Sequence, residues 1–107
     1  LLPPVANAGT TQTITLPVNF VTLSGSATDP DGTVVSHVWT KFSGPTGGDI
    51  STPNNYTTLI ANMTEGTYLF ELTVTDNDGL TGTDLVQVIV RPQLIQQRVL
   101  LRGYKFP

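Results

Sequence analysis

Between Gly66 and Asp76 the chain alternates without interruption, Tyr68, Phe70, Leu72 and Val74 on one side and Leu69, Glu71, Thr73 and Thr75 on the other. A period of two over that length is the mark of a strand with one buried face, and a helix does not produce it. The same pattern returns from Gly82 to Val90, where Val86, Val88 and Val90 oppose Gln87, and Pro92 stops it. Val34 to Ser43 reads as a third strand, carrying the single tryptophan, Trp39, and ending at the turn signal Ser43-Gly44-Pro45. Phe20 to Ala27 reads as one strand in which Val21, Leu23 and Gly25 share a face; Thr13 to Leu16 is a short strand ended by Pro17, and Thr57 to Asn62 a weaker one. A loop rich in Gly, Pro and Asn runs from Ser43 to about Tyr56. Six or seven short strands with no convincing helix predict an all-β, antiparallel sandwich with Greek-key connections. Its expected core is Leu23, Trp39, Tyr68, Phe70, Leu72, Val74, Val86 and Val88.

A chain of 107 residues fits one domain. Residues 1–4 read as linker, 5–91 as the sandwich, and 92–107 as linker, tail or the start of a following domain, because Leu94, Ile95, Val99, Leu100 and Leu101 leave the strand pattern. Charged residues make up only 12% of the chain, with abundant Thr, Ser, Asn and Gly, the balance of a β-rich extracellular module. All eight acids and one base, Lys41, lie in residues 1–90, whereas Arg91, Arg98, Arg102 and Lys105 follow. An acidic body of this kind argues against nucleic-acid binding, which needs clustered cations. No apolar run approaches the roughly 20 residues that span a bilayer. With no cysteine, nothing can be read from disulfides.

Candidate chemistry is confined to two acidic turns, Asp29-Pro30-Asp31-Gly32 and Asp76-Asn77-Asp78-Gly79, which hold four of the eight carboxylates. Such oxygens suit calcium. An EF-hand is excluded, because the twelfth position of its loop would fall on Thr40 or Gln87 in place of the bidentate Glu. One His and no Cys make a transition-metal centre a poor fit. No nucleophile, acid and base can be assembled into a catalytic set. His37, two residues before Trp39 on the same face, reads as a structural residue at the core edge.

Several motifs agree in order and spacing with a known family. Pro4-Val5-Ala6-Asn7-Ala8-Gly9 opens the domain, Val21-Thr22-Leu23-Ser24-Gly25-Ser26 leads into Asp29-Pro30-Asp31-Gly32, and Trp39 precedes Ser43-Gly44-Pro45. Gly66-Thr67-Tyr68 then leads through Leu72-Thr73-Val74-Thr75-Asp76 to Gly79. Together these resemble the PKD (polycystic kidney disease) domain, of the immunoglobulin-like β-sandwich class, from Pro3 to about Val90. The chain departs from many members after Trp39, where Thr40-Lys41-Phe42 stands in place of an acidic Asp-Phe-Gly-Asp-Gly turn.

The resemblance implies a non-catalytic, monomeric spacer or interaction module of a larger secreted or surface protein, its partners being the neighbouring domains of the same polypeptide. A second expectation is an accessory module that holds an attached enzyme on polysaccharide or an extracellular protein fibre, for which a surface row of aromatics would be needed. In such a sandwich both acidic turns fall at one end, near the start of the first strand. Asn7, Asp29, Asp31 and Asp76 are then candidate Ca2+ ligands, with Asp78 in reserve. The same residues are strong turn formers without any metal, and both readings stand at this point. Tyr68 resembles a tyrosine corner. Asn55-Tyr56-Thr57 and Asn62-Met63-Thr64 match the N-glycosylation acceptor pattern, which short Thr-rich chains also produce by chance. Leu69, Leu85 and Ile89 face away from the expected core and mark either an apolar patch for a neighbouring domain or positions covered by a long loop.

Overall fold

A computed structural model of the chain describes residues 1–94; most of the 92–107 tail, with the expectations attached to it, lies outside the described residues. Nine strands follow one another: β1 (Val5–Asn7), β2 (Gln12–Thr15), β3 (Val21–Ser24), β4 (Ser26–Thr28), β5 (Val34–Ser43), β6 (Asp49–Ile50), β7 (Thr57–Ala61), β8 (Gly66–Asp76) and β9 (Thr81–Arg91). They form a four-stranded sheet in the order β2-β9-β8-β5, a three-stranded sheet β3-β7-β6, and the ribbon β1-β4. The hairpin β8–β9 pairs from Gly66↔Val90 to Thr75↔Thr81, so the alternation of both strands puts one continuous row of side chains on the inner face.

That row is the core. Tyr68, Phe70, Leu72, Val74 and Val88 are 0% exposed and Val86 is 3% exposed. Leu23 and Trp39, each 1% exposed, come from opposite sheets and close the layer between them, with Ile60 and Val21 beside them. The Trp39 indole N–H donates to the Tyr56 carbonyl at 3.0 Å, which satisfies the one polar atom of the largest buried side chain. Tyr68 is a true corner: its hydroxyl accepts from the Thr64 amide (2.8 Å) and donates to the Thr46 carbonyl (3.0 Å), tying the approach to β8 to the loop after β5. On the outer face Leu85 is 41% exposed, while Leu69 and Ile89 are half-buried.

Four expectations require correction. The strand expected from Phe20 to Ala27 is two strands in different sheets, broken at Gly25. A Cβ at Gly25 would lie 2.7 Å from Leu72 Cδ2 and 2.9 Å from Trp39 Cζ2, so the chain crosses the top of the core at the one residue that fits there. Its amide, free of either ladder, donates to the Tyr56 carbonyl at 2.9 Å. Secondly, β2 runs parallel to β9, from Gln12↔Val88 to Thr15↔Arg91, in an otherwise antiparallel set of pairs. This follows because the first strand is divided: β1 stays with β4, and the segment after Gly9 crosses to the other sheet, where it meets β9 in the same direction. Thirdly, the loop before Tyr56 contains β6, two residues paired with β7, too short to show a period. Fourthly, residues 1–4 are not a detached linker, since Pro4 is buried and the Leu2 amide is bonded within the domain.

Candidate cation site at the acidic turns

Each acidic turn closes a connection at the same end of the sandwich. The first follows β4 and leads to β5, the second joins β8 to β9, and Val34 pairs with Asp76 where β5 and β8 meet. Asn77 locks the two together: its amide donates to the Thr33 carbonyl at 2.9 Å and its Oδ1 accepts from the Thr33 amide at 3.0 Å. Close packing here demands Gly32, because a Cβ at that position would run into Asn77 Oδ1 and approach Asp29 Oδ2 to 2.9 Å.

The result is a cluster in which one carboxylate oxygen from each of Asp29, Asp31 and Asp76 lies within 4.8 Å of the others. Asp76 is the buried member, 1% exposed, and its two oxygens differ. Oδ1 accepts from the Asp78 and Leu80 amides, both at 2.9 Å, whereas Oδ2 is buried without a hydrogen-bond partner. Both oxygens of Asp29 are likewise buried and lack a well-formed hydrogen bond, with Asp31 the neighbour that acts on them. Asp31 is exposed, and its Oδ2 accepts from the Leu2 amide at 2.9 Å. Orphaned carboxylate oxygens are costly to bury, and three carboxylates so close repel one another. A divalent cation would remove both penalties, so the residues present fit calcium in kind: hard carboxylate oxygens, three of them converging at one end of the fold.

Asn7 does not belong to this set. It pairs with Ser26, three residues before Asp29, which is roughly 10 Å away at the ordinary strand rise. Its Oδ1 accepts from the Gly9 amide at 2.9 Å, turning the chain from β1 towards β2. Asp78 is exposed, and its amide serves Asp76. Two contributors were not foreseen: Asn77, which the motif Asp76-Asn77-Asp78-Gly79 brackets, and the Leu2 amide, a backbone group with no side-chain signature. Outside the cluster, His37 is stacked on Tyr56 with ring centroids 3.7 Å apart and serves packing. Phe20 and Phe42, 53% and 58% exposed, stand on separate segments.

The Asp29 carboxyl is held above the usual aspartate range, first by desolvation and then by its Asp31 and Asp76 neighbours, with the Asp31 backbone drawing it partly back. A group whose folded pKa is raised contributes stability that is complete below its unfolded pKa, about 3.9, and disappears as pH rises through the folded value. In ion-free protein, the urea midpoint of the wild type relative to Asp29→Asn is therefore expected to fall as pH is raised from about 3.5 towards neutrality. A difference that is flat across that window would mean that Asp29 ionises in the fold as freely as in the open chain.

The fold and this end of it define a class: an immunoglobulin-like β-sandwich, divided at its first strand, pinned by a tyrosine corner, and closed by two acidic turns where the chain comes in. Residues 8–90 match the family model described as K319L-like, PKD domain, and the chain belongs to the PKD domain family. It is similar to the mouse dyslexia-associated protein KIAA0319-like protein, 38% identical over 92 residues, covering 86% of this chain and 9% of that protein. It is also similar to mouse low-density lipoprotein receptor-related protein 11, 37% identical over 92 residues, covering 85% of this chain and 19% of the relative. Among solved structures, the PKD domain from KIAA 1837 protein superposes with a TM-score of 0.76 at 35% identity, over 88% of this chain and 92% of that one. The chain thus spans less than a fifth of the length of these curated relatives. Among the described residues no helix is long and apolar enough to cross a membrane.

Proposed function

We propose that this chain is a non-catalytic extracellular spacer module of a larger protein, and that calcium bound by Asp29, Asp31 and Asp76 stiffens its junction with whatever precedes it. The observation that carries this reading is the three-carboxylate cluster with buried oxygens that lack a well-formed hydrogen bond, set beside the incoming chain, whose Leu2 amide already rests on Asp31. Relatives in which such a domain is a small fraction of a long polypeptide support the spacer role. An ion at the cluster would hold Asp31 against Asp29 and Asp76, and through Leu2 would fix the direction in which the preceding residues leave. The surroundings agree, because extracellular modules work with weak calcium sites, with Kd on the order of 10⁻⁴–10⁻³ M.

Thermal unfolding tests it. At 10 mM calcium, sites of that affinity stabilise the native state by about 1.4–2.7 kcal/mol, which raises Tm by several degrees in a domain of this size. Magnesium at equal concentration is expected to do less, since it sheds water reluctantly and demands octahedral geometry. An unchanged Tm in calcium would leave the acidic turns as turns and remove the ion from the reading.

A further inference from the structure

The two N-glycosylation patterns in the sequence occupy unlike places in the fold. We propose that Asn55 is the N-glycan acceptor of this module and that Asn62 is reserved for the fold. The inference rests on the extracellular reading in one respect, that the chain passes through a eukaryotic secretory pathway.

Asn55 lies on the turn that its amide closes onto the Thr52 carbonyl at 3.1 Å. Its side chain is exposed and makes no hydrogen bond among the described residues, and the same holds for the Thr57 hydroxyl that completes the pattern. Tyr56 between them is anchored inward, its ring on His37 and its carbonyl on Trp39 and Gly25, so Asn55 is held outward at a fixed place. A sugar attached there displaces no contact of the folded chain.

Asn62 is committed elsewhere. Its backbone takes the left-handed conformation (φ 55°), its Nδ2 donates to Asp49 Oδ2 at 2.8 Å, and its carbonyl accepts from Gly48 at 3.2 Å. Met63 is 3% exposed, and the Thr64 hydroxyl donates to the Thr46 carbonyl at 2.9 Å beside the Tyr68 hydroxyl. Of that pattern, Thr64 belongs to the tyrosine corner, Met63 to the buried core, and Asn62, though exposed, is tied to Asp49 and the loop at Gly48. Transfer happens before folding is complete, so exposure alone does not choose between the sites; the fold decides which modified chain reaches its native state.

The step itself balances simply. Asn55 Nδ2 attacks the anomeric carbon of the first N-acetylglucosamine of a lipid-diphosphate-linked oligosaccharide. A C–N bond forms, the C–O bond to the diphosphate breaks, the lipid diphosphate leaves, and one amide proton goes to base; nothing is oxidised or reduced. The glycan would stand beside β5, the open edge of the four-stranded sheet, where the loop makes a single backbone contact from the Trp39 amide to the Pro53 carbonyl at 2.8 Å. Bulk at that place obstructs edge-to-edge pairing with other chains.

The test is expression of the chain behind a cleavable leader in a eukaryotic host, with the intact mass of the secreted protein measured before and after peptide:N-glycanase. Enzymatic release in heavy-oxygen water marks the former acceptor, because the released Asn becomes a labelled Asp. The expected result is one removable oligosaccharide, with the label at residue 55; Asn55→Gln and Thr57→Ala each abolish it, and Asn62→Gln leaves it in place. Secreted wild-type protein at its unmodified mass, or a label at residue 62 in folded protein, overturns the proposal. Calcium binding is measured separately on the same material, so the two readings fail independently.

Discussion

Trp39→Ala is expected to cost about 3–5 kcal/mol of folding free energy, the range for removing a large aromatic from a core that cannot fully close over the gap. For a domain whose whole stability falls in the range of about 5–15 kcal/mol, that is at least about a fifth of the total. The size of the effect follows from position. Trp39 is 1% exposed, stands between the two sheets, and shares its neighbours Leu72 and Gly25 with the point where the chain changes sheet. Removing the ring leaves Gly25 facing empty space and strips the Tyr56 carbonyl of one of its two donors. Urea unfolding of the variant, set against Leu85→Ala on the outer face, measures it. Leu85 is 41% exposed and its truncation should stay within about 0.5 kcal/mol of the wild type. Equal losses at the two positions would mean that the inner row is not the source of stability.

The second large effect concerns Asp76 and has opposite signs with and without the ion. Asp76→Asn keeps an acceptor for the Asp78 and Leu80 amides and keeps the shape of the side chain, but removes a charge and places an N–H₂ where the orphaned Oδ2 was. In calcium-free buffer the variant should be more stable than the wild type, since an amide donor now faces Asp29 in place of a third carboxylate. In calcium the order reverses, because the wild type gains the ion and the variant has lost a buried anionic ligand. Paired melting curves in chelator and in 10 mM calcium decide it. A variant that melts below the wild type in chelator would show that the charge itself holds the turn, and equal calcium shifts in both proteins would remove Asp76 from the ligand set.

How much of this was legible in the chain differs from residue to residue, for identifiable reasons. β8 and β9 were readable because a half-buried strand writes its two faces into alternate positions, and Trp39 because one large ring in such a strand has nowhere to go but inward. The break at Gly25 was not readable: Val21, Leu23 and Gly25 keep the right parity for one strand, and the change of sheet depends on what Leu72 and Trp39 occupy above the glycine. The acidic turns announced themselves by composition, and the class of fold brings their ends together. Asn7 was misplaced by a matter of register. The chain passes the acidic turns before Val5, not after it, so the element that touches Asp31 is the amide of Leu2. A backbone donor carries no letter in the sequence.

The path of the chain also has a consequence for leverage. It passes the acidic turns on its way into β1, and its last strand, β9, starts from the second of those turns and runs to Arg91 at the opposite end. Eleven residues of extended chain make an arm of roughly 35 Å. The pivot of that arm is the point at which the Leu2 amide meets Asp31. A small change of angle there would swing Arg91, at the far end of that arm, through a wide arc relative to the point where the Leu2 amide rests.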